Sequence, residues 1–234
     1  MKRGAISIAL GLVLSSVPMT AAAADTAVEA RRAPSTLDLT ASDEVVRFGG
    51  TVRLVAALSG PPGGQAILIE RLVGGEPTVI GGCVTGSAGR CAVGVRPRRT
   101  STFRAVFAGT GSWDATTSVA VEVKVRTDVV GRLRGADDRK GRYHLYGRSD
   151  RVTFVVDVAP ARRGQRVWFP LRFNAGHGWT DGGTSSFRTD GEGRVVIYFA
   201  PGSLPVGAYR LEAVTRPGRG LQGGRSRPAY FRVR

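Results

Sequence analysis

From Ser35 onward the chain alternates apolar and polar residues in short runs. Leu37 and Leu39 flank Asp38. Val52, Leu54, Ala56 and Leu58 share one parity, while Arg53 and Val55 take the other. A period of two sends successive side chains to opposite faces of an extended chain, so each run predicts a strand with one face buried. The same rhythm continues through Gln65 to Val73, with Ile67 and Ile69 in phase, and then through Thr78 to Ile80, Thr102 to Ala108 and Val119 to Val125. Gly60-Pro61-Pro62-Gly63-Gly64 and Gly74-Gly75 separate these runs as turns. Beyond the N-terminal segment no window carries a 3.6-residue apolar stripe between helix caps. Roughly seven short strands before residue 128 predict an all-β sandwich.

The second half repeats the first. Gly50 to Val55 has its counterpart in Asp150 to Val155, and Gly64-Gln65 in Gly164-Gln165. In the strand after Gln165, Val167, Phe169, Leu171 and Phe173 are in phase. Thr85 to Arg90 recurs as Thr189 to Arg194, and Phe103 to Val106 as Tyr209 to Glu212. Both halves close on a valine-bearing strand. The order of landmarks is kept while the offset grows, which is duplication with lengthening loops.

These residues carry a family resemblance. Gly64-Gln65, an alternating strand, Gly74-Gly75, Thr85 to Arg90 and Thr102 to Gly109 resemble the immunoglobulin-like domains of secreted actinobacterial proteins. The second copy is looser: Phe107-Ala108-Gly109 has become Thr215-Arg216-Pro217, and its third strand holds Trp168 and Pro170. The resemblance implies two tandem immunoglobulin-like β-sandwiches and no particular chemistry, since such domains serve as spacers, adhesins and binding modules. The expected organisation is a signal peptide at 1–24, a polar lead-in at 25–34, a first domain at 35–128, a linker at 129–141 and a second domain at 142–234. A structured alternative for the linker lets Val129, Val130 and Leu133 begin the second domain's first strand.

Export rests on the N-terminus. Lys2 and Arg3 precede an apolar run from Ala5 to Val13, and Ala22-Ala23-Ala24 offers a small-residue cleavage site before Asp25. A membrane anchor is the competing interpretation, but Gly11, Ser15, Ser16 and Pro18 interrupt a run well short of the ~20 apolar residues that span a bilayer. A secreted or extracellular chain, in contact with the cell wall and without a transmembrane segment once mature, is therefore expected. Oxidising compartments preserve disulfides, so Cys83 and Cys91 are expected to pair across one hairpin. Free thiols are the alternative; a metal site would need more ligands than two cysteines without a neighbouring histidine.

Charge is the remaining signal. The formal net charge is +16, and it is unevenly placed. Residues 25–128 hold 12 basic and 10 acidic side chains, whereas residues 129–234 hold 20 and 8. A second half this basic attracts polyanions such as wall polymer, acidic glycan, nucleic acid or anionic membrane. The competing explanation is compositional: only Lys2, Lys124 and Lys140 are lysine among 34 basic residues, as when a GC-rich genome writes arginine for every surface charge. No cofactor, metal or specific nucleic-acid partner is implied, and no catalytic constellation is evident. The local cluster to test is His177, Trp179 and Asp181 in the glycine-rich stretch Asn174 to Gly183. There Trp179 either stacks on a sugar, making the stretch a carbohydrate- or protein-binding loop, or folds back on the sandwich edge. A further extracellular protein is the other partner class considered.

Overall fold

The alternating runs become strands whose buried parity matches the pattern. In β3 (Val52–Ser59), Val52, Leu54 and Ala56 are fully buried while Arg53 faces solvent. A computed structural model describes residues 31–234, so the signal peptide expected at 1–24 and most of the lead-in lie outside the described residues. The first half adds β1 (Thr36–Ala41), β2 (Val45–Arg47), β4 (Ala66–Val73), β5 (Glu76–Val84), β6 (Arg90–Val95), β7 (Ser101–Phe107), β8 (Thr116–Thr117) and β9 (Val121–Arg126). One sheet has the order β1-β3-β6; the other runs β2-β9-β7-β4-β5, with β8 beside β7. Between them lie Leu54, Ile67, Ile69, Phe103 and Val123.

The second half uses the same plan. Its strands are β10 (Asp128–Arg134), β11 (Asp138–Lys140), β12 (Tyr143–Tyr146), β13 (Val152–Ala159), β14 (Arg166–Asn174), β15 (Thr180–Arg188), β16 (Arg194–Phe199), β17 (Gly207–Leu211) and β18 (Ala229–Val233). The sheets are β10-β13-β16 and β11-β12-β18-β17-β14-β15. In each half a short early strand joins the second sheet by parallel pairing, β2 with β9 and β12 with β18. All other pairings between strands are antiparallel. The chain is thus all-β, two tandem immunoglobulin-like sandwiches. The Tyr209 hydroxyl donates to the Pro205 carbonyl at 2.7 Å, a tyrosine corner at the start of β17.

The repeated motifs owe their residue types to hydrogen bonds that recur in both copies. Thr85 is buried, and its hydroxyl accepts the Gln65 amide at 2.9 Å while its own amide donates to the Gln65 carbonyl. Thr189 does the same for Gln165, at 3.0 Å. Gly89 and Gly193 close the paired turns with φ of 70° and 78°. A Cβ at Gly89 would lie 2.3 Å from the Leu58 carbonyl oxygen, and one at Gly193 2.6 Å from that of Val158. Only glycine fits there. A second lock also repeats: the Ser118 hydroxyl accepts the Ala105 amide, and the Ser226 hydroxyl accepts that of Ala213.

Two expectations are corrected. Cys83 and Cys91 are disulfide-bonded, with Cα atoms 5.8 Å apart, but they do not face each other within a hairpin. Cys83 sits on β5, opposite Ile67 of β4; Cys91 sits on β6, opposite Ala56 of β3. The bond therefore ties one sheet to the other where the chain crosses between them. The second copy places Phe187 opposite Val167 and Val195 opposite Val156, with the Phe187 ring edge-on to Phe169 at 5.8 Å.

The second correction concerns residues 129–141, which do not form a linker. β10 begins at Asp128, two residues after β9 ends, and pairs along its length with β13. Val129 and Leu133 enter the second core, as the structured alternative requires, and the Tyr146 hydroxyl donates to the Arg134 carbonyl at 2.9 Å. β11 and β12 then form a hairpin. Thr127 alone joins the two sheet systems, and it is held from the side. Its amide donates to the Gln222 carbonyl at 3.0 Å, and the Gln222 amide donates to the Val125 carbonyl at 2.8 Å. The Thr100 amide donates to the Gly220 carbonyl at 2.8 Å. Leu221, from the β17–β18 connection, is buried in the core of the first sandwich.

Two predictions follow from this packing. Replacing Cys83 and Cys91 by alanine lowers unfolding free energy by about 2–3 kcal/mol, read from denaturant midpoints. Midpoints unchanged by the double substitution contradict the inter-sheet tie. Gly224 is the second test, because an added Cβ would lie 2.1 Å from the Thr127 carbonyl oxygen. Gly224→Ala costs about 2–4 kcal/mol in the same measurement, as a backbone contact at the junction is forced apart. Wild-type stability in that variant contradicts close packing there.

Candidate functional site

The glycine-rich loop is built on Asn174, whose Oδ1 accepts the Gly176 amide at 2.7 Å and that of Gly178 at 3.3 Å. His177 stands in solvent at its tip. Trp179 is half-buried and turns back onto the sheet, edge-on to Tyr230 with ring centres 6.1 Å apart. Asp181 is exposed and accepts the Gly183 amide at 2.9 Å. Trp179 and Asp181 are engaged locally, and none of the three lines the two arginine clefts of the second sandwich. Among the described residues no three His, Cys, Asp or Glu side chains gather as a metal site.

The first of those clefts was not singled out from the sequence. Its floor follows from the parity of β14: Val167 and Phe169 point into the core, leaving Arg166 and Trp168 outward. The turn before it, Arg162-Arg163-Gly164-Gln165, is held by the Gly164 amide donating to the Thr189 carbonyl at 2.8 Å. Trp168 and Val214 exchange two backbone hydrogen bonds of 2.8 Å, which brings the β17–β18 connection alongside. Arg216 lies 4.4 Å over the Trp168 ring, a cation–π contact that joins the two segments.

Beyond Arg216 the connection doubles back. Gly218 and Leu221 exchange backbone hydrogen bonds around Arg219-Gly220, both left-handed, with φ of 53° and 75°. This is the two-residue turn that favours Asn-Gly. An arginine in its first position costs about 1–2 kcal/mol of backbone preference. The resulting cleft has a volume of about 280 Å³ and is lined by Thr127, Gln165, Trp168 and the arginines at 162, 163, 166, 216 and 219. No acidic residue lines it. Among the described residues, the ion pairs of this half engage other arginines. Asp157 takes Arg132 and Arg194, each at 2.9 Å, and the buried Glu212 takes Arg210 and Arg225.

A second basic cleft, of about 370 Å³, lies along β10, β12 and the start of β18. It gathers Arg132, Arg134, Arg139, Arg142 and Arg227 with His144 and Tyr230. Burial, helped by the nearby Arg139 charge, holds the His144 imidazole below its ordinary range, which favours its neutral form. Arg142 stacks 4.3 Å over Tyr230. The Asp157 carboxyl, hydrogen-bonded first by Arg194 and also by Arg132, is held below the usual carboxylate range. Arg132 is thus already compensated, unlike the arginines of the first cleft.

The signal for the first cleft was present as Arg162-Arg163 and Arg166 beside Trp168, and as Arg216 and Arg219 flanking Pro217-Gly218. What the sequence could not show is that these segments, some fifty residues apart, meet across one groove.

No family model matches the chain, and no curated protein matches it. Among solved structures it is similar to the D0-D1 domain of intimin, at 15% identity and a TM-score of 0.32, over 83% of this chain and 97% of that one. It is similar to a tetra-tandem repeat in the extending region of a large adhesion protein, at 14% identity and a TM-score of 0.34, over 86% of this chain and 50% of that one. The ligand-binding domain of human OSCAR matches at 15% identity and a TM-score of 0.30, over 84% of this chain and 97% of that one. Likeness of this degree assigns no family and transfers no activity.

Proposed function

We propose that this chain is an exported, non-catalytic interaction protein of the cell envelope or extracellular space, associating with anionic wall polymer through its second sandwich. The observation that carries this is the placement of the arginine excess. Ten arginines of residues 129–234 line two clefts with no acidic residue in their lining, and among the described residues only Arg132 of the ten is ion-paired. With 20 basic and 8 acidic side chains in residues 129–234, unpaired arginines must remain; what favours a polyanion partner is that nine of them gather in two clefts. Guanidinium groups suit phosphate and carboxylate by charge and by the planar fork of their donors. The disulfide supports an oxidising destination. The resemblance to immunoglobulin-like domains of secreted actinobacterial proteins supports the same one.

A second reading assigns carbohydrate or protein recognition to the Gly176–Gly183 loop. It draws on Trp179, whose half-exposed ring borders Tyr230 and, through it, the stacked guanidinium of Arg142. Aromatic rings in such a setting can carry a sugar face.

Binding of the full chain to purified wall polymer separates the two. Electrostatic association falls about tenfold or more as salt rises from ~0.05 to ~0.2 M, because screening shortens the reach of each charge. Trp179→Ala leaves that association within about twofold. Absence of binding at low salt, or affinity indifferent to salt, contradicts the polymer reading; loss of binding in Trp179→Ala favours the loop.

A further inference from the structure

We infer that the cleft between the 162–168 and 216–221 segments is a phosphate subsite, which takes the phosphate groups of a polymer of alternating phosphate and polyol or sugar units. This rests on the association with anionic polymer proposed above and gives it a place and a chemistry.

Three observations converge on it. Five guanidinium-bearing residues line one small groove that has no acidic residue in its lining, and none is in an ion pair among the described residues, although Arg163 also borders a neighbouring cleft with Asp190. They come from two separate segments. A tetrahedral anion directs acceptor oxygens to several sides at once and can bridge both segments, whereas a planar carboxylate is satisfied by a single fork. The volume, about 280 Å³, stands at the lower end of small-ligand sites and suits one phosphate with an attached unit, leaving the polymer to run out of the groove.

The second observation is Arg219. Its left-handed backbone is better served by asparagine or glycine, and it nonetheless places a cation at the rim of the cleft. Local strain of this kind, kept in place by surrounding packing, points to a use for the side chain.

Third, the groove is preformed. Leu221 anchors the turn in the first sandwich, and Arg216 is already positioned over Trp168 at 4.4 Å. The backbone of the turn and the Arg216 guanidinium therefore need no rearrangement to meet a ligand, which has only the remaining arginine side chains to order. The neighbouring basic cleft differs in that its Arg132 is already held by Asp157 at 2.9 Å.

Calorimetric titration of the full chain tests the subsite, with glycerol phosphate and poly(glycerol phosphate) as probes and polyglucuronate as the carboxylate counterpart. The informative variant is Arg219→Asn, which creates the favoured Asn-Gly turn while removing the charge. It should melt at or above the wild-type temperature and bind both phosphate probes about tenfold more weakly, the loss of one charge-assisted hydrogen bond. Arg166→Gln combined with Arg216→Gln should weaken them further. Arg139→Gln combined with Arg142→Gln, in the other cleft, should change affinity for glycerol phosphate less than about threefold. Equal losses from both clefts, or equal affinity for phosphate and carboxylate polymers, overturn the subsite while leaving general polymer association standing. Failure of every polymer to bind at low salt overturns both.

Discussion

Three backbone hydrogen bonds, the Thr127 hydroxyl donating to the Gln222 carbonyl at 3.2 Å, an Arg47–Asp128 ion pair at 3.8 Å and one buried leucine hold the two sandwiches to each other. Thr127 donates to Gln222, Gln222 donates to Val125, Thr100 donates to Gly220, and Leu221 is buried in the neighbouring core. Each hydrogen bond contributes about 1 kcal/mol, and burying the leucine about 1.5–3 kcal/mol. Together they turn a one-residue connection into a fixed junction. The arginine cleft depends on it, since Thr127 and Leu221 line the groove alongside the arginines.

The junction is a variation on something both copies do. In the first sandwich, the loop after β7 pairs with the chain that leads into β1: Ala33 donates to the Ser112 carbonyl and accepts from the Asp114 amide. In the second, the corresponding connection pairs with the chain that leads into β10, and that chain is the end of the first sandwich. Repeating the domain thus supplied a contact between domains from a contact within one. The second copy then lengthened its connection into a turned-back hairpin that carries Arg216 and Arg219.

The sandwich architecture was legible because period-two alternation and paired turn motifs are local properties of the chain. Val52 to Leu58 show it by parity alone, and Thr85 and Thr189 by their spacing from glycine. The disulfide pairing was legible too, but its partners were assigned to one hairpin, since residue spacing does not reveal a chain crossing between sheets. Residues 129–141 looked like a linker because charge and glycine mask a strand whose inward side chains are few, chiefly Val129 and Leu133. Among the site residues, Trp179 stands out in the sequence as an aromatic in a glycine-rich insertion, whereas Trp168 shows only as a departure from the repeat. The replacement of Phe107-Ala108-Gly109 by Thr215-Arg216-Pro217 marked where the second copy had diverged. Its partner across the groove, the 162–166 turn, is set by tertiary pairing of Trp168 with Val214, which no local pattern encodes.

Backbone amide relaxation in the two sandwiches tests the fixed junction most directly. A single rotational correlation time fitting amides of β3 and β7 as well as those of β13 and β17 is the predicted result, with Gln222 as rigid as its neighbours. Two separable correlation times, with fast motion at Thr127 and Gln222, would contradict a joined pair and the preformed cleft between its segments.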